Sequence, residues 1–194
     1  MLKTAYTSRP ATFEDAYHLA RLVNHAGEGL AYHHWQTLAE QAQEDVDPWA
    51  IGIRRAAGES AGFSHRKSLV AEVYGHVAGC VSSYPIEAPT PQKEYADTPP
   101  VFRALLELED LAVGTHYINV LAIYPEHRGK GLGTMLLSQA EGMAAGRGMS
   151  LIVCDANRDA QRLYERLGYR QHATRPMVKQ GWDGRGENWV LMLK

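Results

Sequence analysis

The densest chemistry in the sequence is a six-residue run, Arg128-Gly129-Lys130-Gly131-Leu132-Gly133, set between an apolar strand pattern and a helical one. A turn of this kind leads into a helix whose first backbone N–H groups have no intrahelical acceptor, at the end where the helix dipole is positive. Three glycines remove the side chains that would hold a ligand away from those donors, so the run is suited to phosphate oxygens. The dipole alone contributes only about 0.3 to 2 kcal/mol. Tight binding therefore also needs several N–H donors and a charge-assisted partner such as Arg128 or Lys130, worth about 1.5 to 3 kcal/mol each. A diphosphate is the ligand that such a cradle predicts. Two better-known nucleotide motifs do not fit. A P-loop needs Gly-Lys followed by Ser or Thr, whereas Lys130 precedes Gly131. A dinucleotide fingerprint needs a different glycine spacing and an acid about twenty residues on.

A second patch begins about thirty residues later, Asn157-Arg158-Asp159-Ala160-Gln161-Arg162-Leu163-Tyr164, continuing to Gly168-Tyr169. Ala160, Leu163, Tyr164 and Leu167 recur at helical spacing, so Tyr164 reads either as a core tyrosine or as a phenol at a site. Asn157 reads as an N-cap, a role compatible with binding. The nine histidines include His33-His34 but no metal-binding spacing, so no metal is expected. Cys80 and Cys154 lie in apolar runs and read as buried, reduced thiols suited to a cytoplasmic protein. Twenty Lys and Arg stand against 22 Asp and Glu, a formal charge of -2, so no overall field favours nucleic acid or an anionic membrane. The N-terminal stretch has no apolar leader pattern, and no window is long enough to span a bilayer.

The elements that must position these residues follow from periodicity. At 194 residues and 45% hydrophobic, the chain is expected to form one domain over 1–194. The opening LKTAYTS reads as a strand. Thr12 caps a helix from Phe13 to about Asn24, EGLAYHHWQTLAEQAQ forms a second helix ended before Pro48, and SLVAEVY and HVAGCVSSY pair around Gly75. Residues 85–110 read as a proline-rich loop followed by a short helix in VFRALLELEDL. THYINVLAI is a strand, and TMLLSQAEGMAAG a helix with Leu132, Leu136, Ala140 and Met143 on one face. SLIVCDA is a buried strand, the Tyr164 helix is closed by Gly168, and YRQHA and ENWVLMLK add two strands. The strand-helix-strand order implies parallel neighbours joined by a right-handed crossover.

With these elements in place, VLAIYPEHRGKGLGTMLL resembles the acetyl-CoA-binding motif of the GNAT acetyltransferases, Arg/Gln-x-x-Gly-x-Gly/Ala after a strand, with Arg128, Gly131 and Gly133 at its fixed positions. NRDAQRLYERLGY resembles the family's second motif through Asn157, Ala160, Leu163, Tyr164, Gly168 and Tyr169. The resemblance implies an α/β fold whose central mixed, twisted sheet is splayed between its fourth and fifth strands, with helices on both faces. It also implies that acetyl-CoA is the co-substrate. The backbone of Leu121, Ala122 and Ile123 would pair with pantetheine, the amides of Gly129, Lys130, Gly131, Leu132, Gly133 and Thr134 would hold the pyrophosphate beside Arg128, and Asn157 and Tyr164 would flank the thioester.

The implied reaction is direct attack of an amine on the thioester, without a covalent acyl-enzyme. An alkylammonium of pKa about 10.4 is neutral in about one molecule in 2,500 at pH 7, a handicap of about 4.6 kcal/mol, so a proton acceptor is required. Many relatives carry a glutamate on one of the two splayed strands, where Tyr117 and Ile152 stand here. Glu109 and His116 are the replacements of equal standing, with Glu107 nearby and Asn119 as a holder of water; Tyr164 is a hydrogen-bond or proton donor to the leaving thiolate. A small-molecule primary amine is the expected acceptor. A protein N-terminus or lysine is the alternative within the class, and a non-catalytic acyl-CoA sensor the alternative outside it. The resemblance also allows a homodimer.

Overall fold

A computed structural model of the chain describes residues 6–42 and 45–194. Seven strands, β1 (Tyr6–Pro10), β2 (Ser68–Val73), β3 (His76–Pro85), β4 (His116–Ile123), β5 (Met149–Cys154), β6 (Arg170–Pro176) and β7 (Asn188–Leu193), form a mixed sheet in the order β1-β2-β3-β4-β5-β7-β6. The expected parallel pair is β4 with β5, and its ladder comprises His116–Met149, Tyr117–Ser150 and Ile118–Leu151. The expected hairpin joins β2 to β3 at Tyr74 and Gly75, both at positive φ. Chain contacts define two compact units: the described part of Met1–Ser83 together with Asn119–Met143, and Tyr84–Ile118 together with Ala144–Lys194.

The first unit is built on an entry turn whose chemistry was visible in the sequence. Thr12 opens a 3-10 turn, Phe13–Asp15, that passes into α1 (Ala16–Ala26). The Asp15 carboxylate accepts from the Thr12 backbone N–H at 2.8 Å, and the Asp15 N–H donates to the Thr12 carbonyl. Arg9 on β1 donates two hydrogen bonds to Asp15, at 2.7 and 2.9 Å, and a third to Glu72 on β2. The helices α2 (Leu30–Ala42) and α3 (Pro48–Ala57) pack with α1 around Leu19, Leu22, Trp35, Phe63, Val70 and Cys80. Helix α3 is an addition to the elements expected from periodicity. Its start signals were present, since Pro48 is its first residue and Asp47 caps it by accepting from Trp49 N–H, but Gly52 between two isoleucines weakens the helical pattern. The first strand and second helix were expected to include residues 2–5 and 43, which lie outside the described residues. In α6 (Leu132–Met143), Leu132, Leu136 and Ala140 are sealed in the core as expected, but Met143 is 46% exposed. Ala140 before it and Ala144 just beyond it are buried, so the packed face continues and periodicity alone misplaces Met143.

The second unit contains α4 (Gln92–Asp97), α5 (Pro100–Asp110) and α7 (Arg158–Arg166), with α5 packed on β6 and β7. Helix α4 is a correction to the expected loop: six residues are too few to show periodicity amid flanking prolines. Both cysteines are free and buried, as expected. Among the described residues no helix is long and apolar enough to cross a membrane.

Asp15 gives a stability prediction. Burial acts to raise its pKa, but hydrogen bonds from Arg9 and Thr12, with the charge of Arg9, outweigh burial and hold the carboxyl below its usual range. A depressed folded pKa stabilises the protein above the unfolded carboxylate value of about 3.9, and that contribution is lost as pH falls through the folded value. Asp15→Asn should lower the unfolding free energy by about 1 to 2 kcal/mol at pH 7, measured in urea, with the difference shrinking below about pH 4.

Candidate functional site

Strand β4 determines what each unit can present. Alternation sends successive side chains to opposite faces of a sheet. Ile118, Val120 and Ala122 are buried on one face, whereas Asn119, Leu121 and Ile123 are only partly buried on the other. By the same alternation Tyr117 belongs to the half-open face and His116 to the sealed one.

In the first unit, the end of β4 hands the chain to the glycine run. The approach is close: a Cβ built on Gly79 of β3 would stand 2.6 Å from the Ala122 carbonyl oxygen and would run into the Ile123 side chain. Tyr124 N–H donates to the Ala78 carbonyl at 2.9 Å just beyond this contact. Arg128 Nε then donates to the Ile123 carbonyl at 3.0 Å, and Lys130 Nζ to the Glu126 carbonyl at 2.8 Å, so both cations brace the turn. Gly129 and Gly131 take φ of 70° and 83°, with open space where a Cβ would lie. The first backbone bond of α6 runs from Met135 N–H to the Gly131 carbonyl at 3.0 Å. The amides of Leu132, Gly133 and Thr134 therefore precede the first helical bond, as an anion cradle requires. Arg128, Gly129, Lys130, Gly131 and Thr134 are exposed and Gly133 partly so; the Leu132 side chain is buried, leaving its amide alone to contribute. The residues present thus fit a diphosphate.

In the second unit, Glu109 near the end of α5 is hydrogen-bonded by the phenol of Tyr117 on β4. Burial pushes the Glu109 carboxyl up to about 7; the Tyr117 hydrogen bond opposes this, and the nearby charges of Asp110 and Glu94 reinforce it. Tyr84 on β3 sets its ring edge-on to Tyr117, with centroids 5.7 Å apart. Burial, followed by the Glu109 charge, raises the Tyr117 pKa well above its ordinary value, and Tyr164 acts on it electrostatically as well. Tyr164 is buried against Tyr169, with centroids 5.9 Å apart, and burial lifts its phenol to about 12. It is therefore a proton-bearing group at neutral pH. Asn157 caps α7, its side-chain carbonyl accepting from Ala160 N–H at 3.2 Å, which leaves its amide donors outside the cap.

Two neighbouring candidates have different surroundings. Glu107 accepts from Tyr95 at 2.8 Å and Arg175 at 2.7 Å, and these bonds hold its pKa below the usual range. His116 is buried, and burial with the nearby Arg147 charge lowers its pKa. The structure thus brings Glu109 together with Tyr117, Tyr84 and Tyr164, while alternation places His116 on the sealed face of β4. Sequence reading identified Tyr117 only as standing where a base was expected. Its partnership with Glu109 joins a helix to a strand, and no spacing rule reports it. Among the described residues, no group of three or more His, Cys, Asp or Glu is placed to hold a metal ion.

The tight seat of Gly79 gives a direct test of the β3–β4 contact. Gly79→Ala must displace Ala122 and Ile123, so it should destabilise the protein by about 1 to 3 kcal/mol in thermal unfolding and speed hydrogen exchange at the Tyr124 amide.

The profile of the Acetyltransferase (GNAT) family matches residues 29–169. Among solved structures, an N-acetyltransferase from Staphylococcus aureus Mu50 is similar, with a TM-score of 0.66 at 20% identity over 97% of this chain and 100% of that one. A mosquito arylalkylamine N-acetyltransferase like 5b also gives 0.66, at 16% identity over 98% and 99% of the two chains. Arabidopsis thaliana NAA60, solved in complex with a bisubstrate analogue, gives 0.56 at 16% identity over 98% and 97%. These likenesses support the fold, while the profile covers both the glycine run and the Asn157–Tyr169 patch. The chain belongs to the GNAT family of acetyl-CoA-dependent acetyltransferases.

Proposed function

We propose that this protein transfers the acetyl group of acetyl-CoA to the primary amine of a small molecule, with Glu109 as the acceptor of the ammonium proton. The observation that carries the proposal is the state of Glu109, a partly buried carboxyl lifted to about 7 and held by the phenol of a buried tyrosine. An ordinary carboxylate of pKa 4.5 is a poor base toward an alkylammonium. Raising it to about 7 narrows the difference by about 3 kcal/mol while leaving a substantial ionised fraction at neutral pH.

Acetyl-CoA supplies the activated acyl group. In this reading the amides from Gly129 to Thr134 hold its diphosphate and the Leu121–Ile123 backbone aligns its pantetheine arm. Asn157 offers amide donors near the thioester, and Tyr164, protonated at neutral pH, hydrogen-bonds the departing sulfur. The preference for a small acceptor is supported by the segment before α5. Thr90 donates from its backbone N–H and its hydroxyl to Asp110, at 2.8 and 2.9 Å, and Tyr95 is fastened to Glu107. These bonds tie the segment before α5 to the residues on either side of Glu109, which supports reading the acceptor as a compact amine rather than an extended peptide. The acidic side chains Glu94 and Asp110 favour a cationic acceptor, and the free, buried thiols suit the reducing cytoplasm.

The test is CoA release from acetyl-CoA against a panel of small primary amines, with a peptide N-terminus and a lysine peptide as competitors. Wild type should turn over a small amine. Glu109→Gln should lower kcat/KM by about a hundredfold or more with CoA affinity retained by calorimetry. Gly131→Asp, which places a negative charge and a side chain at positive φ in the cradle, should weaken CoA binding by about tenfold or more. Turnover confined to the peptides would overturn the acceptor assignment, and full activity in Glu109→Gln would overturn the base.

A further inference from the structure

We infer that Tyr117 is the positioning residue for Glu109, orienting its carboxylate and setting the pH range over which it accepts a proton. The inference rests on the reading of Glu109 as the proton acceptor and adds a second residue to it. The geometry carries the argument. Tyr117 is 3% exposed, lies on the half-open face of β4 by alternation, and gives its hydroxyl hydrogen to Glu109 on α5. Its ring is packed edge-on against Tyr84 at an interplanar angle of 72°, which restricts the ring's freedom to turn. A carboxylate has two oxygens. With one engaged by Tyr117, the other is the oxygen available to an ammonium.

The groups acting on Glu109 are Tyr117 from β4, Asp110 from its own helix and Glu94 from α4, while Tyr84 from β3 shares its field. Two of these are acids, which disfavour the ionised carboxyl. Asp110 is itself engaged by Thr90, and Arg175 is paired with Glu107. Tyr117 is the neutral donor in this set that favours ionisation, because a hydrogen bond to a carboxylate is stronger than one to a carboxylic acid. Without it, Glu109 would hold its proton to higher pH and be a less available base below neutrality.

The decisive experiment titrates Glu109 directly. The protonated-carboxyl C=O band of the substrate-free protein is followed by difference infrared spectroscopy in D2O and assigned by its loss in Glu109→Gln. In Tyr117→Phe, which keeps the ring, the midpoint should rise by about one pH unit. With 2-phenylethylamine as acceptor probe, the acid limb of the kcat/KM profile should move by the same amount, giving about a tenfold deficit at pH 6 that closes in alkaline solution. A tyrosine that merely packs would leave the midpoint in place, so an unmoved or lowered midpoint in folded Tyr117→Phe overturns the inference. If no band near neutrality disappears in Glu109→Gln, both this inference and the underlying base assignment are overturned. If Glu109→Gln removes the band but retains full turnover, the base assignment fails and Tyr117 loses its role in catalysis with it.

Discussion

A β-strand can offer chemistry only through the side chains that its alternation leaves outside the core, and β4 imposes this constraint on the whole protein. Ile118, Val120 and Ala122 tie it into the hydrophobic interior. The opposite row begins with Tyr117 and continues through Asn119, Leu121 and Ile123. In the second unit that row meets α5 through the Tyr117–Glu109 hydrogen bond. In the first it runs out to the glycine turn, where Gly79 lets β3 approach the backbone of Ala122 and Ile123. A side chain at residue 79 would disturb the strand just before the turn that must keep its amides in line.

The second constraint is electrostatic. Glu107 and Glu109 stand two residues apart on α5, yet their surroundings drive them in opposite directions. Glu107 has a guanidinium and a phenol as partners and stays ionised well below neutrality. Glu109 has a phenol but two acids, in a less solvated place, and titrates near neutral pH. Environment thus separates two carboxyls of one helix, one held ionised by its partners and the other kept near its protonation midpoint. Glu107 also fastens its neighbours to the helix that carries Glu109, α4 through the hydrogen bond from Tyr95 and β6 through the ion pair with Arg175.

Much of this was legible in the sequence, for identifiable physical reasons. The glycine run could be read because positive φ and free amides demand glycine at fixed places, and Gly129 and Gly131 adopt those conformations. The β4–β5 parallel pair and α7 could be read because their apolar patterns are long and regular. Helix α3 escaped because Gly52 sits where propensity expects a helix former, even though it packs against the Trp35 ring. Met143 is expected on a buried face because periodicity does not report which residues of a stripe find a partner to pack against. The choice between Glu109 and His116 could not be made from sequence, because it depends on a strand's register and on a contact between α5 and β4.

Glu109 is expected to change protonation near neutral pH in the folded protein. Carbon-13 NMR of protein labelled at the glutamate side-chain carboxyl, titrated from pH 4 to 9 with Glu109→Gln used for assignment, measures this directly. The account predicts that the Glu109 resonance titrates with a midpoint near 7, apart from glutamates of ordinary pKa. A midpoint in the ordinary carboxylate range, at about 4 to 5, would contradict it.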